Sequence, residues 1–191
     1  MSATTDRPKL VDATKRSTFS GQLKQISAHV QSGKQLHRSL RKVELQLLKV
    51  LKVHRFAIYQ SVDNGNEMVS AYQTGIRGSD ADVQIRIPMG PGSIVGFVAL
   101  SQSPVLLTDV EDEDELTAIH PRLKHSKGES TRSTRDIGSM IAVPITDEIL
   151  LGVLQITTSK SEPALSQRHL QRAKLVAAML SKKLSSLIKI T

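Results

Sequence analysis

Apolar positions along the chain recur at two different periods, and the change of period divides it into segments. Residues 1–18 mix Ser, Thr, Asp, Lys and Pro without periodic apolar spacing and are expected to form a flexible tail. From Phe19 or Ser20 onward, Leu23, Ile26 and Val30 fall at helical spacing. After a break at Ser32-Gly33, the stripe resumes with Leu36, Leu40, Val43, Leu47, Leu48 and Leu51. Two amphipathic helices are predicted, with Lys24, Lys34, Arg38, Arg41, Lys42, Lys49 and Lys52 on their other faces.

The period then shortens to two. Phe56, Ile58 and Gln60 alternate with Ala57, Tyr59 and Ser61, and Asp63-Asn64-Gly65-Asn66 separates them from Met68 to Tyr72, which predicts a hairpin. Val83, Ile85 and Ile87 alternate with polar residues up to Pro88 and predict a third strand, solvated on one face. Past Gly90-Pro91-Gly92, Ser93 is placed to cap a short helix through Leu100, and Pro104 to Leu107 reads as a short strand. Asp109 to Glu115 is expected to begin the next helix, its acids at the positive end of the dipole, with Leu116, Ile119 and Leu123 facing inward. Pro121 predicts a kink or an early end.

Residues 124–136 hold no large apolar side chain and predict a long surface loop. Met140 to Ile145 and Leu150 to Ile156 are apolar enough to be central strands, joined across Thr146-Asp147-Glu148. A long C-terminal helix follows, lined by Leu165, Leu170, Ala173, Val176, Leu180 and Leu184 among others. Helices, then strands with inserted short helices, then a helix make an α+β chain with a single domain over residues 19–191.

Composition removes several chemistries. Cysteine is absent, which excludes disulfides, thiolate metal sites, cysteine nucleophiles and thioether-attached cofactors. No apolar run reaches the roughly 18 residues of a membrane span, and the N-terminus lacks a signal-peptide core, so a cytoplasmic location is expected. The net charge of +8 is unevenly spread. Residues 1–55 carry 12 Lys or Arg against 3 Asp or Glu, whereas the remainder is close to neutral. A basic helical arm of this kind suits nucleic acid, anionic lipid or an acidic protein surface, and equally a solvated helix face.

Three stretches carry a family resemblance: I-R-I-P-M-G-P-G-S-I-V-G-F-V-A-L-S-Q-S-P-V-L-L-T-D-V at 85–110, G-S-M-I-A-V-P-I at 138–145 and L-L-G-V-L-Q-I-T at 150–157. In this order and spacing they resemble the GAF domain family over residues 20–187. The resemblance implies a central antiparallel sheet of about six strands, N- and C-terminal helices packed together on one face, and short helices and loops over a small-molecule pocket on the other. A narrower resemblance, carried by S-T-F-S-G-Q-L-K-Q-I at 17–26, is to the N-terminal GAF domains of type II and type IV secretion ATPases. The chain has no G-x-x-x-x-G-K-[ST] loop, so any ATPase module lies outside these residues.

The same resemblance narrows the ligand. Cyclic-nucleotide-binding members carry an Asn-Lys…Phe…Asp-Glu signature after the last strand, and of it only Lys160 remains here; Leu165, Arg168 and His169 stand in the other places. Bilin-binding members and those that reduce free methionine sulfoxide depend on cysteine. Haem leaves His54, His120, His125 and His169 as formal candidates, each of which reads equally as a surface or packed residue, and no cofactor is specified by the sequence. Carried over by position, the pocket walls include Ile94, Val95, Phe97 and Val98, with Asp109, Leu116, Ile119 and His120; Ser139, Ile141 and Gln155 form its floor. The basic loop, with Arg122, Lys124, His125, Lys127, Arg132 and Arg135, is positioned to close over an anionic ligand, guanidinium forks being suited to phosphate or carboxylate.

No catalytic constellation and no metal site stands out, and a non-enzymatic sensor or regulatory role is expected. The first helices and the C-terminal helix are expected to pack as an antiparallel bundle, which many members use to dimerise and to pass a signal to an attached module, so a homodimer through the N- and C-terminal helices is expected, with an ATPase or signalling module as partner. The alternatives are a ligand-free interaction module and, more weakly, nucleic-acid binding through the basic arm.

Overall fold

A computed structural model describes residues 18–62, 66–75, 84–124 and 136–188. The expected tail 1–17, the turn at 63–65, Val83 and most of the loop 124–136 lie outside the described residues. The two predicted N-terminal helices form, α1 at Phe19–Ser32 and α2 at Leu36–Leu51. Thr18, assigned above to the tail, is the N-cap of α1, its hydroxyl accepting from the Gly21 N–H. Lys52 adopts a left-handed conformation that ends α2.

Six strands follow the predicted order: β1 (Arg55–Val62), β2 (Glu67–Gln73), β3 (Arg86–Pro88), β4 (Val105–Leu107), β5 (Ile137–Asp147) and β6 (Ile149–Ser159). Helices α3 (Ile94–Ser101) and α4 (Glu113–Ile119) flank β4, and α5 (Gln167–Ile188) closes the chain. The sheet order is β3-β2-β1-β6-β5-β4, antiparallel throughout. Consecutive strands β5 and β6 form a hairpin with Glu148 at positive φ in the turn, whereas β1 and β6, far apart in sequence, pair at the centre. No helix among the described residues is long and apolar enough to cross a membrane.

Alternation along each strand sends side chains to two separate cores. On one face Phe56, Ile58, Ile141, Val143, Leu154 and Ile156 pack against α1, α2 and α5. On the other, Ala57, Tyr59, Met68, Met140, Ala142 and Val153 pack against α3 and the segment around α4. Because β1 and β6 are buried on both sides, the sheet is a shared wall between two layers.

Two expectations are corrected. Helix α4 begins at Glu113 and not at Asp109, because Asp112 is its N-cap, accepting from the Asp114 and Glu115 N–H groups. The preceding Thr108-Asp109 is drawn into a turn by the Glu115 carboxylate, which accepts from both backbone N–H groups and from the Thr108 hydroxyl. The helices also do not form a purely antiparallel bundle. Phe19 lies beneath the Arg172 guanidinium, while the far end of α1 meets Met179 and Lys183, so α1 runs in the same direction as α5; α2 opposes both, Val50 O accepting from Arg172.

Polar groups fix the helices on one another. Lys183 is buried on α5, and its ammonium donates to the carbonyls of Gly33 and Gln31 at the C-terminus of α1, where unpaired carbonyls concentrate negative potential. At the start of α5, the Ser166 N–H donates to His169 Nδ1, a histidine serving where a capping box has a glutamate. Burial, and then the nearby Arg172, lowers the His169 imidazole pKa, which favours the unprotonated Nδ1 this acceptor role uses. Lys183→Met is expected to lower the unfolding free energy by about 1.5–3 kcal/mol, since two carbonyls lose a charged donor. Lys182→Met, on the exposed side of the same turn, should stay within about 0.5 kcal/mol; denaturant melts of the pair check the contrast.

Candidate functional site

The short helix α3 is the roof of the second core. Ser93 caps it, its hydroxyl accepting from the Gly96 N–H at 3.0 Å, and Ile94, Val95, Val98 and Ala99 are buried beneath it. Gly96 sits directly against the chain leaving β3: a Cβ there would lie 2.3 Å from the Pro88 carbonyl oxygen and 2.9 Å from that of Gly90. Only glycine allows this approach, which sets the depth of α3 over the sheet. Phe97, on the same helix, meets His120 with ring centroids 5.5 Å apart. His120 follows α4, and its Nδ1 accepts from the Arg122 N–H at 3.2 Å.

Beneath them, the floor is set by register. Gln155 on β6 stands opposite Ala57 on β1 and Ala142 on β5. Two buried alanines thus stand beside a long amide, and Gln155 is only half-buried while its flanking residues are covered. The Tyr59 hydroxyl donates to Gln155 Oε1 at 3.3 Å, and Gln155 Nε2 reaches Met140 Sδ at 3.4 Å. A thioether is a weak acceptor, so this amide donor has capacity for a better one.

Of the residues expected to line the pocket, Phe97, His120 and Gln155 border this second core, and Phe97 and His120 touch. Ile141 does not belong there: it is fully buried against the helices on the opposite face. Ser139 shares that face, its hydroxyl bonding Thr158 at 2.6 Å and accepting from the Leu165 N–H at 2.8 Å, so it anchors the approach to α5. Strand alternation separates both from Met140 and Ala142, and an error of one position moves a side chain through the sheet. Asp109 is exposed and accepts from the Glu111 N–H; with Ser139 it borders an open cleft of about 310 Å³ at the sheet end. Arg122 is exposed, and Arg132 and Arg135 lie outside the described residues. Tyr59, Ala57, Ala142 and Met140 were not foreseen. Their alternation was visible, but alternation alone does not say that β1 pairs with β6.

The rim is charged. Lys160 donates to Glu111 Oε2 at 2.6 Å, tying the segment after β6 to the segment before α4, and this bond raises the lysine pKa. Glu162 accepts from the Ser159 N–H, which lowers its pKa, and lies 3.5 Å from His54. A second open cleft of about 460 Å³ runs beside α4, lined by Val110, Leu116, Thr117 and Pro121 among others. Among the described residues no group of His, Asp and Glu is arranged to hold a metal ion.

The chain matches the GAF domain family over residues 35–184 and belongs to it. Similar solved structures include the GAF domain of a phosphoenolpyruvate-protein phosphotransferase from Coxiella burnetii, 20% identical, covering 90% of this chain and 95% of that one with a TM-score of 0.67. The free methionine-R-sulfoxide reductase of Neisseria meningitidis, in complex with its substrate, is 20% identical over 91% of this chain and 92% of its own, with a TM-score of 0.67. Residues 122 to 287 of a methyl-accepting chemotaxis protein, 19% identical, cover 87% of this chain and 98% of that one at a TM-score of 0.68. At these identities the likeness is one of fold. No curated protein matches the sequence.

Gly96→Ala is expected to cost about 1–3 kcal/mol of stability, because its Cβ meets rigid backbone oxygens and not a movable side chain. Gly92→Ala has open space around it and should change the denaturation midpoint little; equal losses in the two variants would contradict this account of how α3 is seated.

Proposed function

We propose that the chain is a non-catalytic regulatory GAF module whose sheet face around Gln155 receives a small ligand and whose helical face carries the response to a second copy and to an attached signalling or ATPase module. The observation that supports it is the Gln155 amide, half-buried between two alanines, backed by the Tyr59 hydroxyl, with a donor spent on a sulfur. Gln155 Nε2 is a neutral donor, and it favours a ligand that presents an oxygen acceptor to an otherwise apolar wall. The reductase among the similar structures acts on a sulfoxide. This chain has no cysteine to supply a thiol, so binding and not turnover is the role proposed here. The secretion-ATPase likeness rests on residues 17–26, and the proposed role does not depend on it.

A second reading is favoured by burial: Val98, Met140 and Tyr59 are exposed by no more than 3%, so the second core is filled up to Gln155. In that case the work lies in the helices. The outer side of α5 exposes Gln171, Leu175, Ala178 and Lys182 at alternating spacings of four and three, with Leu175 50% exposed, a seam of the kind two parallel helices share.

A thermal-shift screen of the whole chain against nucleoside phosphates, cyclic nucleotides, 2-oxoacids and amino-acid derivatives separates the two readings. Ligand sensing predicts a dose-dependent rise in Tm with one class, reduced at least about tenfold in apparent affinity by Gln155→Leu through loss of the amide donor. Tm unmoved by any class, together with a dimer mass in light scattering that Leu175→Glu converts to monomer, would sink the sensor and leave the interaction module.

A further inference from the structure

The helical layer has a property that neither sensing nor dimerisation uses. Helices α1 and α5 contain no aspartate or glutamate, and the single carboxylate of α2, Glu44, is turned aside to accept from the Tyr72 hydroxyl. On the side of α2 away from the sheet, Arg38, Arg41, Lys42, Lys49 and Lys52 follow one another at helical repeats, all exposed. These positions fall within one narrow stripe roughly 20 Å long at 1.5 Å rise per residue. None of the five has an ion-pair partner among the described residues. In the middle of the stripe stands Leu45, 79% exposed.

The centre is what selects the partner. Like charges at i and i+4, as at Arg38 and Lys42, destabilise a helix slightly, and a leucine surrounded by water gains nothing where it is. A phosphate backbone would satisfy the cations and leave the leucine idle, and the one aromatic ring of α2, His37, is half-buried against Tyr72 rather than standing in the stripe where a base could stack. A bilayer with anionic headgroups satisfies both: the cations stand at the headgroup phosphates while Leu45 reaches the acyl boundary. We propose that the outer face of α2 is a peripheral docking surface for an anionic lipid bilayer, with Arg38, Arg41, Lys42, Lys49 and Lys52 as its electrostatic contact and Leu45 as its apolar one. No helix needs to insert, because the apolar side of α2 remains in the first core.

The test is co-sedimentation of the full chain with vesicles of phosphatidylcholine alone and with about one third phosphatidylglycerol. Binding is expected only to the anionic vesicles, falling steeply between about 0.05 and 0.5 M salt as charges are screened. At about fivefold per surface cation, Lys42→Gln/Lys49→Gln should weaken it about twenty-five-fold, and Leu45→Ser by several-fold through loss of the buried side chain. Arg122→Gln/Lys124→Gln removes the same charge from exposed positions on the other layer of the sheet and should change binding by no more than about twofold. Equal weakening by both pairs would show that net charge and not the stripe is responsible, and would overturn the proposal. So would binding to phosphatidylcholine alone, an unaffected Leu45→Ser, or tighter binding to duplex DNA than to the anionic vesicles at equal salt. Lys42, Leu45 and Lys49 are exposed, and matching thermal melts confirm that each variant is folded.

Discussion

Everything in this molecule depends on burying both faces of two strands that are distant in sequence. Strands β1 and β6 meet at the centre of the sheet, where Ile58, Leu154, Ile156 and Val153 have no measurable exposure. A fully buried aliphatic side chain is worth about 1.5–3 kcal/mol over an exposed one, and a domain is stable by only about 5–15 kcal/mol. A few such residues therefore decide whether the sheet exists. Their pairing also demands close approach: a Cβ at Gly152 would fall 2.2 Å from the Tyr59 carbonyl oxygen, so glycine is what lets the two strands meet there. Once the wall stands, alternation sends one set of side chains to the helices and the other to α3 and α4, and the candidate site is a consequence of that division.

The two sides of the wall differ in kind. The helical side is long, continuous and apolar inside, and its outer surface is basic. Its internal polar groups are used for joining helices, as with Lys183 on the end of α1 and Ser139 on the approach to α5. The other side is assembled from short pieces, three residues in β4 and seven in α4, and of α4 only Leu116 is buried. Acidic residues collect there, held in turns by backbone N–H groups and by the Lys160 to Glu111 pair. A thin cover of short elements is the arrangement from which opening segments are drawn, and the half-buried amide of Gln155 lies beneath it.

The sequence made much of this legible. Helical spacing from Leu23 to Leu51 and alternation at Phe56 to Ser61 locate α1, α2 and β1 within a few residues, and the motif stretches at 85–110, 138–145 and 150–157 point to the family that the comparisons show. What periodicity lacks is partnership. It does not say that β1 neighbours β6, so Tyr59, Ala57 and Ala142 could not be grouped around Gln155. It also fixes faces only when register is known, which is why Ile141 and Ser139 were expected on the pocket side and lie on the helix side. The acidic run at 109–115 reads as a helix start from Asp109; that Asp112 caps the N–H groups of Asp114 and Glu115 while Glu115 takes those of Thr108 and Asp109 is a local hydrogen-bond matter that composition does not reveal.

Native-state hydrogen exchange tests the central claim most directly. If β1 and β6 hold both layers, the amides of Phe56 to Gln60 and Val153 to Ile156 exchange only through global unfolding, at the free energy given by denaturant, while those of α4 open far more easily. Amides of α4 as protected as those of β6, or central strand amides that exchange through local opening, would contradict it.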